Sequence, residues 1–387
     1  MLKKVENNLQ ARFWRWNIRR EIPKFQRELA GIVGRKQSGE IIIFPPGLAW
    51  RNSLVQRPQH IARALAELGN LVFYIEPEIS NEFEGFKQLT ENFFLCHVPL
   101  QAFNILQYPF VITMTWNYPF AIQIPRARLI YDYVDHLQVF SGNIRKIEKQ
   151  HKLLLKSAVI VLATSSTLYE QVKTIRPDAV LCPNGVEYDH FLASDSYPFE
   201  PPQDISPLLS TNLPVIGYIG ALARWIDFEL IEQVSKLRPD LIFLLIGPDH
   251  ENSFPRKLLG MPNIFWLGEK SYNDIPIYLN FIDVAMIPFQ VNEMTHAVSP
   301  LKLFEYMAAG KPVIVTPMEG SMHYLGVLNA KYPQDFSNQI DEALQLKSDD
   351  DFIGMIRKVA SENTWEVRAR QIMQVIEKNM SSVPSNN

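Results

Sequence analysis

The chain alternates short apolar runs with stretches of helical periodicity, and it does so in two successive series. In the first half, apolar runs stand at 41–44, 71–75, 93–98, 110–114, 129–134, 159–162 and 179–182, and a helical pattern from about 56 to 68 separates the first two. A second series begins at 215–219. It continues through a helical pattern near 227–237, runs at 241–246 and 264–267, a helical pattern near 273–280, and runs at 284–287 and 313–315. Runs this short, apolar on both faces and separated by helical connections, read as parallel strands with crossover helices. At 387 residues the chain exceeds one ordinary core, so two domains are expected. The Pro-, Ser- and Asp-rich stretch 194–214 reads as the linker between them. The segment from about 349 to 379 reads as two helices broken at 363–365. In such sheets ligands bind beyond the carboxyl ends of the strands, so the loops that follow strands carry the candidate residues.

One of those loops stands out. In Ser299-Pro-Leu-Lys-Leu-Phe-Glu-Tyr-Met-Ala-Ala-Gly-Lys-Pro-Val-Ile314, Ser299 and Pro300 read as a helix start with a capping hydroxyl and a proline at the first helical position. Leu301, Phe304, Met307 and Ala308 form a buried stripe, Gly310 stops the helix, and Pro312 opens the next apolar run. Lys302 and Glu305 share a face near the helix N-terminus. Free amides and a lysine there suit a phosphate, and a carboxylate one turn on suits a sugar hydroxyl. The plainer alternative is a solvated Lys/Glu pair.

Composition narrows the functional classes. Hydrophobic residues make up 47% and charged residues 20%, a soluble globular balance. Cys96 and Cys182 are far apart and form no metal or redox spacing, which fits a reducing, cytoplasmic setting. No apolar run reaches 18 residues and no secretory signal is evident, so neither a membrane span nor export is expected. His60, His97, His151, His190, His250 and His323 show no HxxxH or HExxH spacing, so no metal site is indicated. No GxGxxG follows 41–44 or 215–219, which argues against a dinucleotide-dependent dehydrogenase. The net charge of −3 hides a strongly basic segment, 1–36, with ten basic against three acidic residues. Phe13, Trp14 and Trp16 lie within it. This segment reads as a tail or helix apt for an anionic membrane surface, giving a peripheral position on the inner face of the cell membrane. Nucleic acid is not expected as a partner, because the body is acidic and no reader motif occurs.

At the end of the run 129–134, Asp135 and His136 emerge toward the cleft between the sheets, with Tyr131, Tyr133 and Asp135 alternating on one face. After the first strand, Gly47, Trp50 and Arg57 occupy a loop that can reach across that cleft. Trp50 suits either stacking on a sugar or polyprenyl acceptor or plain aromatic packing.

Three pieces of sequence resemble the retaining nucleotide-sugar glycosyltransferases of family 4 (group 1). Pro183-Asn-Gly-Val186 with Phe191 resembles their interdomain signature. Gly217-Tyr-Ile-Gly220 resembles the turn that opens their nucleotide domain. Ser299–Ile314 resembles the second half of their Glu-x7-Glu motif with its continuation. The resemblance spans roughly residues 40 to 380 and implies the GT-B fold: two facing Rossmann-like, doubly wound parallel-sheet domains. It places the acceptor-side domain at 37–192 and the nucleotide-sugar-binding domain at 193–365, with a C-terminal helix, about 366–380, returning to the first domain. It implies transfer of a sugar from a nucleotide diphosphate sugar to a polysaccharide or lipid-linked acceptor, with retention, without metal and with no cofactor beyond the donor itself. Donor contacts then fall to Glu305 on the ribose hydroxyls, Lys302 on the diphosphate, and Ser299, Leu303, Gly220 and Arg224 around them. Asp135 and His136 fall at the reacting centre, and Gly47, Trp50 and Arg57 on the acceptor side. Retention lets the leaving diphosphate take the acceptor proton, whereas inversion would require a base such as Asp135. Two departures from the pattern are plain. Ala297 stands where the motif has its first glutamate, and Ala221 and Ile226 stand where basic residues are usual. These departures leave room for a non-catalytic GT-B protein that binds a nucleotide or assembles with a transferase. A nucleotide-sugar 2-epimerase of the same fold is the other alternative.

Overall fold

A computed structural model describes residues 21–36, 38–51, 55–77, 83–139, 143–192 and 200–381. The first domain holds strands β1 (Ile41–Phe44), β2 (Leu71–Ile75), β3 (Gly85–Thr90), β4 (Phe93–His97), β5 (Phe110–Thr113), β6 (Arg128–Tyr133), β7 (Ile160–Ala163) and β8 (Val180–Leu181) in the order β3-β4-β2-β1-β5-β6-β7-β8. Every pair is parallel except β3 against β4. The second domain holds β9 (Val215–Ile219), β10 (Ile242–Ile246), β11 (Ile264–Trp266), β12 (Val284–Ile287), β13 (Val313–Val315) and β14 (Val327–Asn329), all parallel, in the order β11-β10-β9-β12-β13-β14. In both sheets the chain starts at a central strand, winds outward one way and returns to wind the other. The topological switch points therefore lie between β1 and β5 and between β9 and β12.

The doubly wound pattern explains the burial. β2, β4, β5, β9, β10, β12 and β13 are buried along their whole length, which only layers on both faces of a sheet can achieve. On one face of the first sheet, Tyr131, Leu154 and Leu155 pack with Phe25, Leu29 and Ile32 of a helix over 21–33. That i, i+4, i+7 stripe makes residues 21–33 a layer of the first domain, so this part of the basic segment is not a free tail. Phe13, Trp14 and Trp16 lie outside the described residues. The other face is covered by helix Arg57–Glu67 and by the C-terminal helix Trp365–Ser381, which buries Trp365, Ala369, Ile372 and Ile376 there. The expected return of the C-terminal helix to the first domain is thus observed.

The chain crosses between domains twice, and the two crossings lie side by side. Val186 and Thr364 form a parallel bridge, with Val186 N–H on the Asn363 carbonyl at 3.0 Å and Trp365 N–H on the Val186 carbonyl at 3.2 Å. A Cβ at Gly185 would fall 2.8 Å from the Thr364 carbonyl carbon, so the approach of the two backbones needs glycine. Val186 and Phe191 already sit in the second core, which puts the crossing ahead of residue 192. Ile205 and Leu208 are buried in that same core, so the later part of the expected linker is a packed segment. Among the described residues no helix is long and apolar enough to cross a membrane.

Candidate active site between the two sheets

The carboxyl ends of both sheets face one cavity of about 330 Å³. Both switch points open into it. Leu48 after β1 and Met114 and Trp116 after β5 come from the first domain, and Gly220 after β9 and Phe289 after β12 come from the second. Gly247, after β10, has φ +141°, and a Cβ there would lie 1.9 Å from the Gly220 carbonyl oxygen. Two glycine backbones thus form a wall that no side chain could line.

The first-domain wall depends on two aspartates three residues apart. Asp132 points into the protein, where its carboxylate takes Arg57 Nε at 2.8 Å and Nη2 at 3.0 Å; both side chains are almost fully buried. Burial works against the guanidinium charge, but Asp132 more than offsets it and keeps Arg57 protonated. Arg57 also donates to the Pro183 carbonyl at 2.9 Å and to Asn184 Oδ1 at 3.3 Å, tying the first crossing to the wall. It lines the cavity, but its donors are already engaged, so it is a positioning residue and not a free acceptor-side cation. Asp135, past the strand end, lines the cavity, and desolvation together with the nearby Asp132 charge pushes its carboxyl up to about 7.

Three other first-domain expectations are corrected. His136 does not line the cavity; its Nδ1 accepts the Gln138 N–H at 3.4 Å within its own turn. Trp50 is absent from the cavity wall and packs edge-on against Tyr74 (5.3 Å) and Phe93 (4.9 Å), so the packing alternative holds. Gly47 lies beside Asn117 and Trp116, lining a much smaller pocket of about 10 Å³.

On the second-domain wall, helix Leu301–Ala308 begins at the cavity with Pro300, Leu301 and Lys302. Pro300 occupies the cap position and no side chain caps the helix. Ser299 is not the cap because it is engaged by the crossing: its Oγ accepts Asn184 N–H at 3.2 Å and its carbonyl accepts Asn184 Nδ2 at 2.6 Å. It still lines the cavity. Tyr306 fixes the helix to the end of β9, its hydroxyl taking the Ile219 N–H at 2.8 Å and donating to the Ile219 carbonyl at 3.2 Å. Lys302 reaches the cavity and donates to Glu305 Oε2 at 2.8 Å. Glu305 is nearly buried (side chain 4% exposed) and lies behind Lys302, outside the cavity wall. Its charge adds to burial in raising the Tyr218 and Tyr272 hydroxyls. Leu303 is wholly buried in the second core and its side chain does not face the cavity.

Arg224 likewise does not reach the cavity. It is exposed and donates across the cleft to the Gln138 and Val139 carbonyls, at 3.2 and 3.0 Å. The segment before helix Leu301–Ala308 adds a second clasp. Ser165 Oγ donates to the Ala297 carbonyl at 2.8 Å and Thr167 Oγ1 to the His296 carbonyl at 3.0 Å. Ala297, in place of the expected acidic residue, is fully buried in the core of the first domain. The sequence reading missed Lys270, which lines the cavity and pairs with Asp204 at 2.6 Å. Its signal was Gly268-Glu-Lys270 at the carboxyl end of an apolar run. Among the described residues, no three His, Cys, Asp or Glu side chains converge as a metal would need.

Comparison with known proteins agrees with this geometry. Residues 213–346, which supply the second-domain wall, match the family model described as glycosyl transferases group 1. TuaH of Bacillus subtilis (strain 168), by name a glycosyltransferase of teichuronic acid biosynthesis, is 32% identical over 243 residues, 59% of this chain. The match spans 60% of that relative's length. Among solved structures, sucrose-phosphate synthase from Thermosynechococcus elongatus superposes with a TM-score of 0.65 at 15% identity, over 89% of this chain and all of that one. HepE of Anabaena in complex with UDP-glucose gives 0.64 at 18%, over 89% of this chain and all of that one. The two-domain arrangement is the GT-B fold that these structures share.

Proposed function

We propose that this chain, whose residues 213–346 match the model of group 1 glycosyl transferases and whose fold is GT-B, moves a sugar from a nucleotide diphosphate sugar to a polysaccharide or lipid-linked acceptor. The observation that carries this reading is the cavity itself. One wall presents a helix start and two lysines, the facing wall presents a carboxyl poised near neutrality, and both lie at sheet switch points.

The chemistry follows from the residues. The donor diphosphate lies at the start of helix Leu301–Ala308, where unpaired backbone amides and Lys302 meet negative charge. As the bond to the sugar breaks, charge grows on that diphosphate, and a fixed cation lowers the barrier without a metal. Glu305 acts through Lys302. Buried behind it, the carboxylate aims the ammonium and limits its motion. Where the Gly220 and Gly247 backbones approach each other, the ligand meets main chain and not side chains. Asp135 faces the sugar end. Ionised, it stabilises the positive charge that develops at the anomeric carbon. The departing diphosphate takes the acceptor proton on the same face, which gives retention. The product's use in a surface polysaccharide is in keeping with the name of the Bacillus relative.

The test offers purified protein a panel of nucleotide sugars and scores saturable binding and donor hydrolysis, with Lys302→Ala and Asp135→Asn as variants. The expected result is binding of at least one donor, weakened by Lys302→Ala, with turnover but not binding lost in Asp135→Asn. No binding of any donor overturns the transferase reading. Binding insensitive to both variants overturns the site.

A further inference from the structure

Helix Ile144–Ser157 begins five residues beyond Val139, a residue of the cavity wall. Its inner face is Gln150, Leu154 and Leu155, all buried. On the outer face Arg145, Lys149, Lys152 and Lys156 recur at i, i+4, i+7 and i+11, within about 60° of one another around the helix and along about 16 Å of its length. All four are exposed, as is Lys146 beside them, and Glu148 is the helix's single acidic residue. Such a row is a surface of one sign standing on a chain whose net charge is −3.

Exposed apolar side chains lie on the same side of the domain. Leu153 is 40% exposed, Val159 39%, Phe120 42% and Ile122 56%. β5, β6 and β7 are adjacent and parallel, so their right-handed connections cover one face of the sheet, and Ala121, Ile124, Leu154 and Leu155 share the core beneath. A polyanion such as RNA would use the cations and leave Phe120, Ile122 and Leu153 facing water. An anionic bilayer uses both, with headgroups on the cations and the apolar side chains in the interfacial layer.

We propose that this face of the first domain docks on an anionic lipid bilayer. The helix row lies along the surface and the cavity mouth sits close to it. Docking stands independently of the chemistry, whereas its use in presenting a lipid-linked acceptor to the cavity rests on the transferase reading above.

Co-sedimentation of the full chain with vesicles of phosphatidylglycerol and phosphatidylcholine in equal parts tests this, with phosphatidylcholine vesicles as the comparison. Each cation is expected to contribute about fivefold to partitioning. The Arg145→Gln/Lys149→Gln/Lys152→Gln/Lys156→Gln variant should therefore lose about 100-fold or more, and Ile122→Ser/Leu153→Ser should lose binding at high salt first. A parallel variant, Lys3→Gln/Lys4→Gln/Arg12→Gln/Arg15→Gln, separates this face from the N-terminal segment. Loss confined to that parallel variant overturns the proposal, and so does equal binding to both vesicle types. Tighter binding to polyuridylate than to anionic vesicles also overturns it, in favour of a polyanion partner. Donor hydrolysis in solution should persist in the helix variant. Absent hydrolysis with intact vesicle binding counts against the transferase reading and leaves the docking face standing.

Discussion

The two walls of the cavity are built by different means. On the first-domain side, charge is fixed deep in the protein: Asp132 and Arg57 form a buried bidentate pair, and Asp135 sits beyond it on the same strand end with its carboxyl held near neutrality. On the second-domain side the wall is glycine backbone, an uncapped helix start and lysines on flexible stems, Lys302 being about one-fifth exposed. A fixed wall suits a reacting centre, where small displacements are costly. A wall of amides and of cations reached from the cavity suits an anion that must enter and leave. On this contrast, breaking the buried Arg57–Asp132 pair should damage folding first, whereas substitution of the cavity-lining Lys302 should damage binding and turnover first.

Arg57→Met should show the largest effect. It leaves the Asp132 carboxylate buried and unpaired, at a cost of about 3–5 kcal/mol. Denaturant unfolding measures this, and Lys302→Met, which strands Glu305 beside a water-accessible cavity, should cost less, about 1–3 kcal/mol, in the same assay. Equal costs would erase the distinction between the walls. Lys302→Ala comes next, with the opposite signature. Stability should fall by less than in Arg57→Met, because water can reach Glu305 from the cavity, while kcat/KM falls about 10²–10³-fold through loss of a preorganised positive group at the diphosphate. Glu305→Gln should give a smaller loss in the same direction, because the amide still occupies the site but no longer fixes the ammonium. A Glu305→Gln loss larger than that of Lys302→Ala would mean that the carboxylate meets the ligand directly.

Asp135 sharpens the comparison through pH. Burial and Asp132 raise its carboxyl from 3.8 to about 7, so the folded protein holds a proton there that the unfolded chain releases. Between those values stability should fall as pH rises, since only the unfolded state is already ionised, and above about 7 the slope should vanish. Asp135→Asn removes that slope. Turnover should run the other way, rising about tenfold from pH 6 to pH 8 as the carboxylate forms. A rate independent of pH across this range would remove Asp135 from the chemistry.

How much of this was legible in the sequence follows from what each residue's neighbours contribute. Strands buried on both faces announce themselves as continuous apolar runs, which is why β1, β2, β9 and β12 stand at their expected places. The edge strand β3, Gly-Phe-Lys-Gln-Leu-Thr, half exposed and antiparallel, does not. β14, at an edge of the second sheet, is parallel but only three residues long and not fully buried, too short for an apolar run to mark it. Lys302 and Asp135 line the cavity, where the local signature of a helix start and the alternation of a strand place them. Arg57 reads from sequence as an acceptor-side cation because its partner Asp132 is 75 residues away, and no local pattern records that pairing. Arg224 has the residue type a phosphate wants, but the 138–139 carbonyls reach it first, and Ser299 gives up the expected cap role to its Asn184 contacts while keeping its place on the cavity wall. Trp50 was undecidable by type, and aromatic packing across β2 and β4 decided it.

The smallest expected effect concerns the clasp that holds the walls together. Thr167 donates to the His296 carbonyl across the cleft, in a part-buried position next to the shorter Ser165 contact with Ala297. Thr167→Val keeps the shape and removes one neutral hydrogen bond, so it should cost about 0.5–1.5 kcal/mol. Ser165→Ala is a poorer probe, because Ser165 also caps the helix that follows it, accepting the Leu168 N–H at 3.3 Å. If the clasp matters only to folding, Thr167→Val lowers the denaturation midpoint and leaves donor KM unchanged. If it holds the cavity in its ligand-binding shape, the same variant raises donor KM by up to about tenfold with kcat little altered, since the energy is lost in assembling the two walls and not in the step between them. The second outcome is the one expected, because the carbonyls that receive Ser165 and Thr167 lie two and three residues before Ser299, where the lysine-bearing wall begins.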